Sequence, residues 1–201
     1  MGTEVNRFAV VSISEKEYKP AIAYDCIYPM YSIDDTALMV KLPTYQTSYV
    51  SVDALNHVVE TATCKAANPF SILLAQETAR LVVKYLPQAL THPNDLMARY
   101  YLLYASLIIG GIAFDNSLLH FTYALEHPLS AVKPELSHGL GLGILLPAVV
   151  KQIYAATPEV LASIFSTIVP ELKGVPSEAE KPYMLISTSR TINRINKNTI
   201  I

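Results

Sequence analysis

Residues 53–60 read DALNHVVE: Asp53, Ala54, Leu55, Asn56, His57, Val58, Val59, Glu60. On a helix, Asp53 and His57 are i and i+4, so their side chains stack on one face, and Glu60 lies one further turn along. A carboxylate and an imidazole held this way can grip one divalent cation. The same spacing also describes a solvated helix face carrying an Asp–His pair. The sequence on either side bears on the choice.

From residue 46 onward, apolar residues recur at helical spacing with few turn signals, predicting helices over 46–64, 69–86, 93–109, 113–127, 140–155 and 158–169. Asn68-Pro69 and Asn94-Asp95 read as helix openers, and Pro87, Pro128 and Pro170 as helix closers. Ahead of residue 45 the texture differs. Residues 7–13 (RFAVVSI) and 20–24 (PAIAY) read as strands joined by the charged turn SEKEYK, with a third strand at 30–33.

The chain is therefore expected to be mainly α, preceded by a short β-containing piece that cannot bury its own sheet alone. The expected division is 1–45 as a remnant of a nucleotide-binding α/β domain, 46–180 as a helical metal-binding domain, and 181–201 as a divergent tail. That tail carries Lys181, Arg190, Arg194 and Lys197 and no acid.

Bulk properties narrow the function classes. With 201 residues, 51% hydrophobic and only 16% charged, the chain can build a sizeable core, and its low charge density suggests surface meant to be covered by a partner chain or a missing domain. A net charge of -2 gives no field directed at nucleic acid. Cys26 and Cys64 make no disulfide framework and fit a reducing compartment. The opening MGTEVNRFAV lacks the basic and apolar regions of a signal peptide. The apolar stretch from Tyr100 to Phe114 is shorter than the ~20 residues of a membrane span. The expectation is a soluble cytoplasmic protein.

Two further stretches are candidates for chemistry, against the plainer readings of a hydrogen-bonded buried histidine and of a helix N-terminal residue of no consequence. In a helix over 113–127, His120, Tyr123 and His127 fall at i, i+3 and i+7, on one face. His138 precedes GLGLG (139–143), where it can reach into a cleft. That glycine run lacks the GxGxxG spacing and a preceding strand, so it reads as helix packing. Imidazoles with a carboxylate suit borderline cations such as Fe(II) or Zn(II). No CxxC pair, HExxH, GxSxG or P-loop occurs.

Taken in order, GTEVNRFAV, DALNHVVE, GIAFDNSLLHFTYALEHPLSA and SHGLGLGILLPAVV resemble the iron-containing (group III) alcohol dehydrogenases, from residue 2 to about residue 180. The resemblance implies a helical metal-binding domain of the dehydroquinate synthase-like fold beside a Rossmann-like domain that binds NAD(P). It also implies hydride transfer between a small alcohol or aldehyde and the nicotinamide. The family's D-A-L-x-H motif falls on Asp53 and His57, and its final H-G on His138. The first histidine of its H-A-x-x-H pattern falls on Tyr123, and the second is His127.

The implied metal ligands are thus Asp53, His57, Tyr123 and His138, for iron or, secondarily, zinc. His127 lies beside substrate and nicotinamide. Tyr123 stands where the family has a histidine, and His120, one turn earlier, is an alternative donor. Glu126 and Asn116 match the family without an assigned role. Gly2 and Thr3 match the end of the family's cofactor loop, and Lys19 its ribose-contacting lysine. Most of the family's nucleotide-binding part has no counterpart in this sequence, so catalysis is expected to be incomplete in a single chain. The alternative is a non-catalytic helical module or subunit that binds metal or a partner chain. A homo-oligomer is expected, with neither nucleic acid nor membrane as partner.

Overall fold

The computed structural model describes residues 3–172. Gly2 and the tail over 181–201 lie outside the described residues. Helix α1 (Thr44–Thr63) is the axis of the structure: nearly every residue from Thr47 to Ala62 is buried, the polar ones included. A helix buried all round must find partners for its polar groups. Asp53, Asn56, His57, Glu60 and Thr61 are among those on α1, and the partners of Asp53 and Glu60 define the site described below.

Around α1 pack α2 (Pro69–Thr91), α4 (Gly111–Asn116), α5 (Phe121–Val132), α6 (His138–Ile153) and α7 (Pro158–Phe165), while α3 (Leu96–Tyr104) packs on α2. The architecture is mainly α, as the periodicity predicts. Leu55, Val58, Val59 and Ala62 of α1 form one core with Ala75 and Ala79 of α2, Leu146 and Val150 of α6, and Leu161, Ile164 and Phe165 of α7. A second core joins Leu81, Val82, Leu86 and Ala89 of α2 to Ala98 and Leu102 of α3.

Local chemistry explains the starts of α2 and α3. Asn68 caps α2 in a reciprocal capping box with Ser71, and Pro69 occupies the first turn, where its missing N–H costs nothing. The Asp95 carboxylate accepts from the N–H groups of Met97 and Ala98 at the start of α3.

Four expectations differ. Pro87 and Pro128 do not close helices but lie inside α2 and α5. Both sit on exposed faces, where water can take the carbonyl that each proline leaves free. Residues 113–127 are not one helix. Helix α3 runs through a π-turn (Ala105–Gly110) into α4 and stops at Asn116, and α5 begins afresh at Phe121. Leu96–Asn116 is thus a continuous helical run of 21 residues, long and apolar enough to cross a membrane by length and composition. It packs instead as a core element, and its Arg99 is fully buried, donating to Thr47 Oγ1 at 2.5 Å and to the carbonyls of Pro93 and Leu42 at 3.0 and 3.2 Å.

Residues 30–33 form no strand. Met30, Tyr31 and Ile33 are 87–88% exposed and have no ladder to join. The sheet has two antiparallel strands, β1 (Phe8–Val10) and β2 (Ala21–Ala23), with Ala9 opposite Ile22. It is held to the helices by Phe8 stacked on Phe114 at 4.2 Å, and by hydrogen bonds from Tyr28 to Asp115 and from Lys19 to Ser130.

Candidate metal centre

DALNHVVE faces inward along its whole length. Asp53 and His57 are buried one turn apart on α1, with Asp53 Oδ1 3.6 Å from His57 Nδ1. His138, the first residue of α6, brings its Nε2 to 3.7 Å from the same carboxylate oxygen. Three residues from two distant stretches therefore meet at one oxygen. The solvated-face reading of 53–60 is excluded by this burial.

Tyr123, from α5, joins them. Its hydroxyl donates to Asp53 Oδ1 at 2.5 Å and lies 3.2 Å from the Asp53 carbonyl oxygen. Its ring is 4.8 Å from that of His57 and 5.5 Å from that of His138. His127, one turn on, has its ring 5.5 Å from His138 and 5.8 Å from Tyr123.

Glu126 is the residue that sequence reasoning left without a role. It is fully buried, and its Oε2 contacts His138 Nδ1 in a short hydrogen bond. That bond fixes the ring so that Nε2 is the nitrogen turned toward Asp53, the arrangement by which a carboxylate orients a metal-binding imidazole. Lys19 reaches the same carboxylate at 3.9 Å and donates to Ser130 Oγ at 2.8 Å. Glu126 precedes His127 in the run YALEH (123–127), but only the fold shows that it faces His138. Ligand atoms of Glu126, His127 and His138 all lie within 4.8 Å of one another. Because Glu126 already engages Nδ1 of His138, it is read as the orienting group and not as a donor to an ion.

Glu60 answers a different need. Its carboxylate accepts from the backbone N–H of His120 at 2.6 Å and, through a short bond, from that of Thr122. Those are orphan donors at the start of α5. A side chain of α1 thus caps α5, and the cap sits one residue before Tyr123. His120 does not join the site: its Nε2 is 2.9 Å from Thr63 Oγ1 and its Nδ1 3.9 Å from Glu60. Glu60→Gln leaves at least one of these N–H groups without an acceptor and is expected to cost about 1–3 kcal/mol in urea unfolding. An unchanged midpoint would contradict the cap.

The protonation pattern favours metal binding. Burial pushes the His57 imidazole down to about 4, against the opposing pull of Asp53, and burial with the nearby His138 does the same to His127, also to about 4. Burial works against the Asp53 carboxylate, but His57, His138 and the Tyr123 hydroxyl outweigh it and hold Asp53 below its ordinary range. Burial, then Asp53, raise Tyr123 well above the usual phenol value, so it stays a donor. Neutral imidazoles beside an ionised carboxylate are what a divalent ion requires, since no proton need be displaced.

A pH dependence follows. The unfolded imidazoles take up a proton near 6.5 and the folded ones only near 4, so below pH 6.5 the unfolded state binds more protons. Stability of the metal-free chain should therefore fall from about pH 6.5 to about pH 4 and then level, with buried His57 contributing about 3 kcal/mol. Urea midpoints measured across that range check it; midpoints independent of pH would be the contrary result.

A cavity of about 240 Å³ adjoins the centre, lined by Ser12, Ser14, Tyr18, Lys19, Ser130 and His138 among others. Lys19 and His138 belong to both. Thr3 lies in the short turn Thr3–Val5. The close spacing of glycines in GLGLG is a packing feature, as its sequence suggests: Gly139 lies against the α1 backbone and Gly141 against Glu126.

The sequence model described as "Fe-containing alcohol dehydrogenase family, C-terminal" matches residues 47–196. The chain is 66% identical over 179 residues to the long-chain primary alcohol dehydrogenase AdhA of Thermoanaerobacter ethanolicus, covering 89% of this chain and 45% of that protein. Among solved structures, a 1,3-propanediol oxidoreductase superposes with a TM-score of 0.88 at 29% identity, covering 100% of this chain and 53% of that one. The NADH-dependent butanol dehydrogenase A of Thermotoga maritima superposes with a TM-score of 0.81 at 26% identity, covering 99% and 49%. The chain spans about half the length of the relatives it matches. On sequence and fold alike, it belongs to the iron-containing alcohol dehydrogenase family.

Proposed function

We propose that this chain is the metal-binding part of an NAD(P)-linked alcohol dehydrogenase, acting on a small alcohol or aldehyde. The observation that carries this reading is the convergence on Asp53 Oδ1 of His57 Nδ1 at 3.6 Å and His138 Nε2 at 3.7 Å. Ligands about 2.0–2.2 Å from a tetrahedral ion stand roughly 3.4 Å apart, close to the separations of Asp53 from His57 and from His138. The donor set, one carboxylate with imidazoles, suits Fe(II) first and Zn(II) second. When bound, such an ion acts as a Lewis acid on the substrate oxygen, and the nicotinamide supplies the hydride chemistry.

The residues divide the remaining work. Asp53, His57 and His138 hold the ion, with Tyr123 at the fourth corner bonded to Asp53. Glu126 keeps His138 turned inward, and His127 faces the side from which substrate approaches. Lys19, with Gly2 and Thr3, meets the cofactor, and the cavity bounded by Lys19 and His138 is the space for the reacting groups. Residues 46–180 form the metal-binding domain, and 1–45 belong with the nucleotide-binding part. We place the protein in the cytoplasm as a homo-oligomer with no nucleic-acid or membrane partner, consistent with its net charge of -2 and its apolar surface.

The test is metal analysis of the purified chain after loading with Fe(II) or Zn(II), followed by NAD(P) reduction with primary alcohols. Stoichiometric metal and alcohol-dependent reduction that tracks metal loading are expected. Metal without reduction would favour a non-catalytic module; no retained metal would remove the metal reading itself.

A further inference from the structure

Resting on that metal reading, we propose that in the substrate-free state His127, and not Tyr123, serves as the fourth metal ligand. Tyr123 stands at the fourth corner but spends its hydroxyl proton on Asp53, at 2.5 Å from Oδ1 with the Asp53 carbonyl at 3.2 Å. A hydroxyl donating to a carboxylate has its hydrogen, not a free lone pair directed at an ion, on the side where the other donors meet. The centre is therefore one nitrogen short.

His127 is the nearest unengaged imidazole on the same helix. It lies at i+4 from Tyr123, on the same face of α5, with its ring inclined 31° to that of His138 at 5.5 Å. A ligand atom of His127 and one of His138 already lie within 4.8 Å. Two imidazole nitrogens on one ion, each at about 2.1 Å, can be at most about 4.2 Å apart, so a small rotation of the half-buried His127 ring closes the gap. The other imidazole near α5 is tied down elsewhere: His120 is engaged with Thr63 and Glu60. His138 cannot swing away to compensate, because Glu126 holds its Nδ1. The ion is thus drawn toward α5 and α6, and coordination comes from Asp53, His57, His138 and His127.

Affinity of the full chain for Co(II), measured by competition with a chelator, tests this in four proteins: the parent, His127→Ala, Tyr123→His and the double variant. In the parent background, His127→Ala should weaken Co(II) binding about tenfold or more. With Tyr123→His supplying the missing nitrogen, the same substitution should change affinity little, so the two effects are strongly coupled. Equal costs in both backgrounds, or no cost in either, would overturn the assignment.

His57→Ala is the control for the underlying reading. If it leaves Co(II) affinity unchanged, the ion is not in this centre, and both the reading and the inference fall. If it weakens binding while His127→Ala does not, only the inference falls. A metal-edge anomalous map of the parent protein gives a check independent of any variant: density bonded to a His127 nitrogen supports the assignment, and an ion bonded to Tyr123 Oη in its place overturns it.

Discussion

Asp53→Ala is expected to lower divalent-metal affinity about a hundredfold or more, the upper end of what removal of even an outer orienting group costs. Asp53 is the carboxylate that both His57 and His138 approach, and it supplies the negative charge of the centre. Without it only imidazoles remain, a weak and poorly balanced set for a hard or borderline cation. The fold should lose much less. The Tyr123 hydroxyl keeps the backbone carbonyl of residue 53 as an acceptor, at 3.2 Å in the present structure. Asp53→Asn separates charge from shape, since it preserves an acceptor for Tyr123 while removing the charge; it too should lose metal, with a smaller effect on unfolding. Chelator competition and urea unfolding on the same samples read both quantities. Metal affinity unchanged in Asp53→Ala would be incompatible with a centre built on this residue.

Gly139→Ala is expected to be the most damaging small substitution for stability. A Cβ at this position would lie 2.2 Å from the Tyr49 carbonyl oxygen, 2.6 Å from its carbon and 2.9 Å from its Cα, all backbone atoms of α1. Backbone cannot rotate out of the way as a side chain can, so α6 must back away from α1. Overpacking of this kind costs about 1–3 kcal/mol and sometimes more. Because His138 is the neighbouring residue, the displacement also moves a proposed ligand, and metal affinity should fall together with the urea midpoint. Gly141→Ala is the matched comparison. There the new methyl meets Glu126 Cγ at 3.0 Å and Oε1 at 3.1 Å, a side chain that can shift. It should cost less stability and act chiefly through the Glu126–His138 contact. Equal stability of Gly139→Ala and the parent would mean that α6 does not approach α1 this closely.

Much of the fold is legible in the sequence where the signal is local. The i, i+4 spacing of Asp53 and His57, the Asn68-Pro69 opening of α2 and the Asp95 cap of α3 are all short-range patterns. What escaped local reading depends on distant partners. The run from residue 113 to 127 looks continuously helical, yet the chain breaks after Asn116 and restarts at Phe121, where the Glu60 carboxylate from another helix meets the freed N–H groups. Pro87 and Pro128 look like terminators, but burial of the rest of each helix outweighs one lost hydrogen bond on an exposed face. Glu126 carries no motif that distinguishes an orienting carboxylate from a surface one; only the approach of α6 across α5 gives it His138 as a partner. Tyr123 was visible as a departure from a histidine pattern, but its bond to Asp53 was not, since that depends on how α1 and α5 face each other.

The most direct measurement is an anomalous difference map, collected at the iron and zinc edges, from crystals of the chain loaded with metal. The expected result is a single peak within bonding distance of Asp53 Oδ1, His57 and His138 Nε2. A loaded crystal with no peak there, or with the ion bound elsewhere and the Tyr123–Asp53 hydrogen bond undisturbed, would contradict a metal centre at these residues.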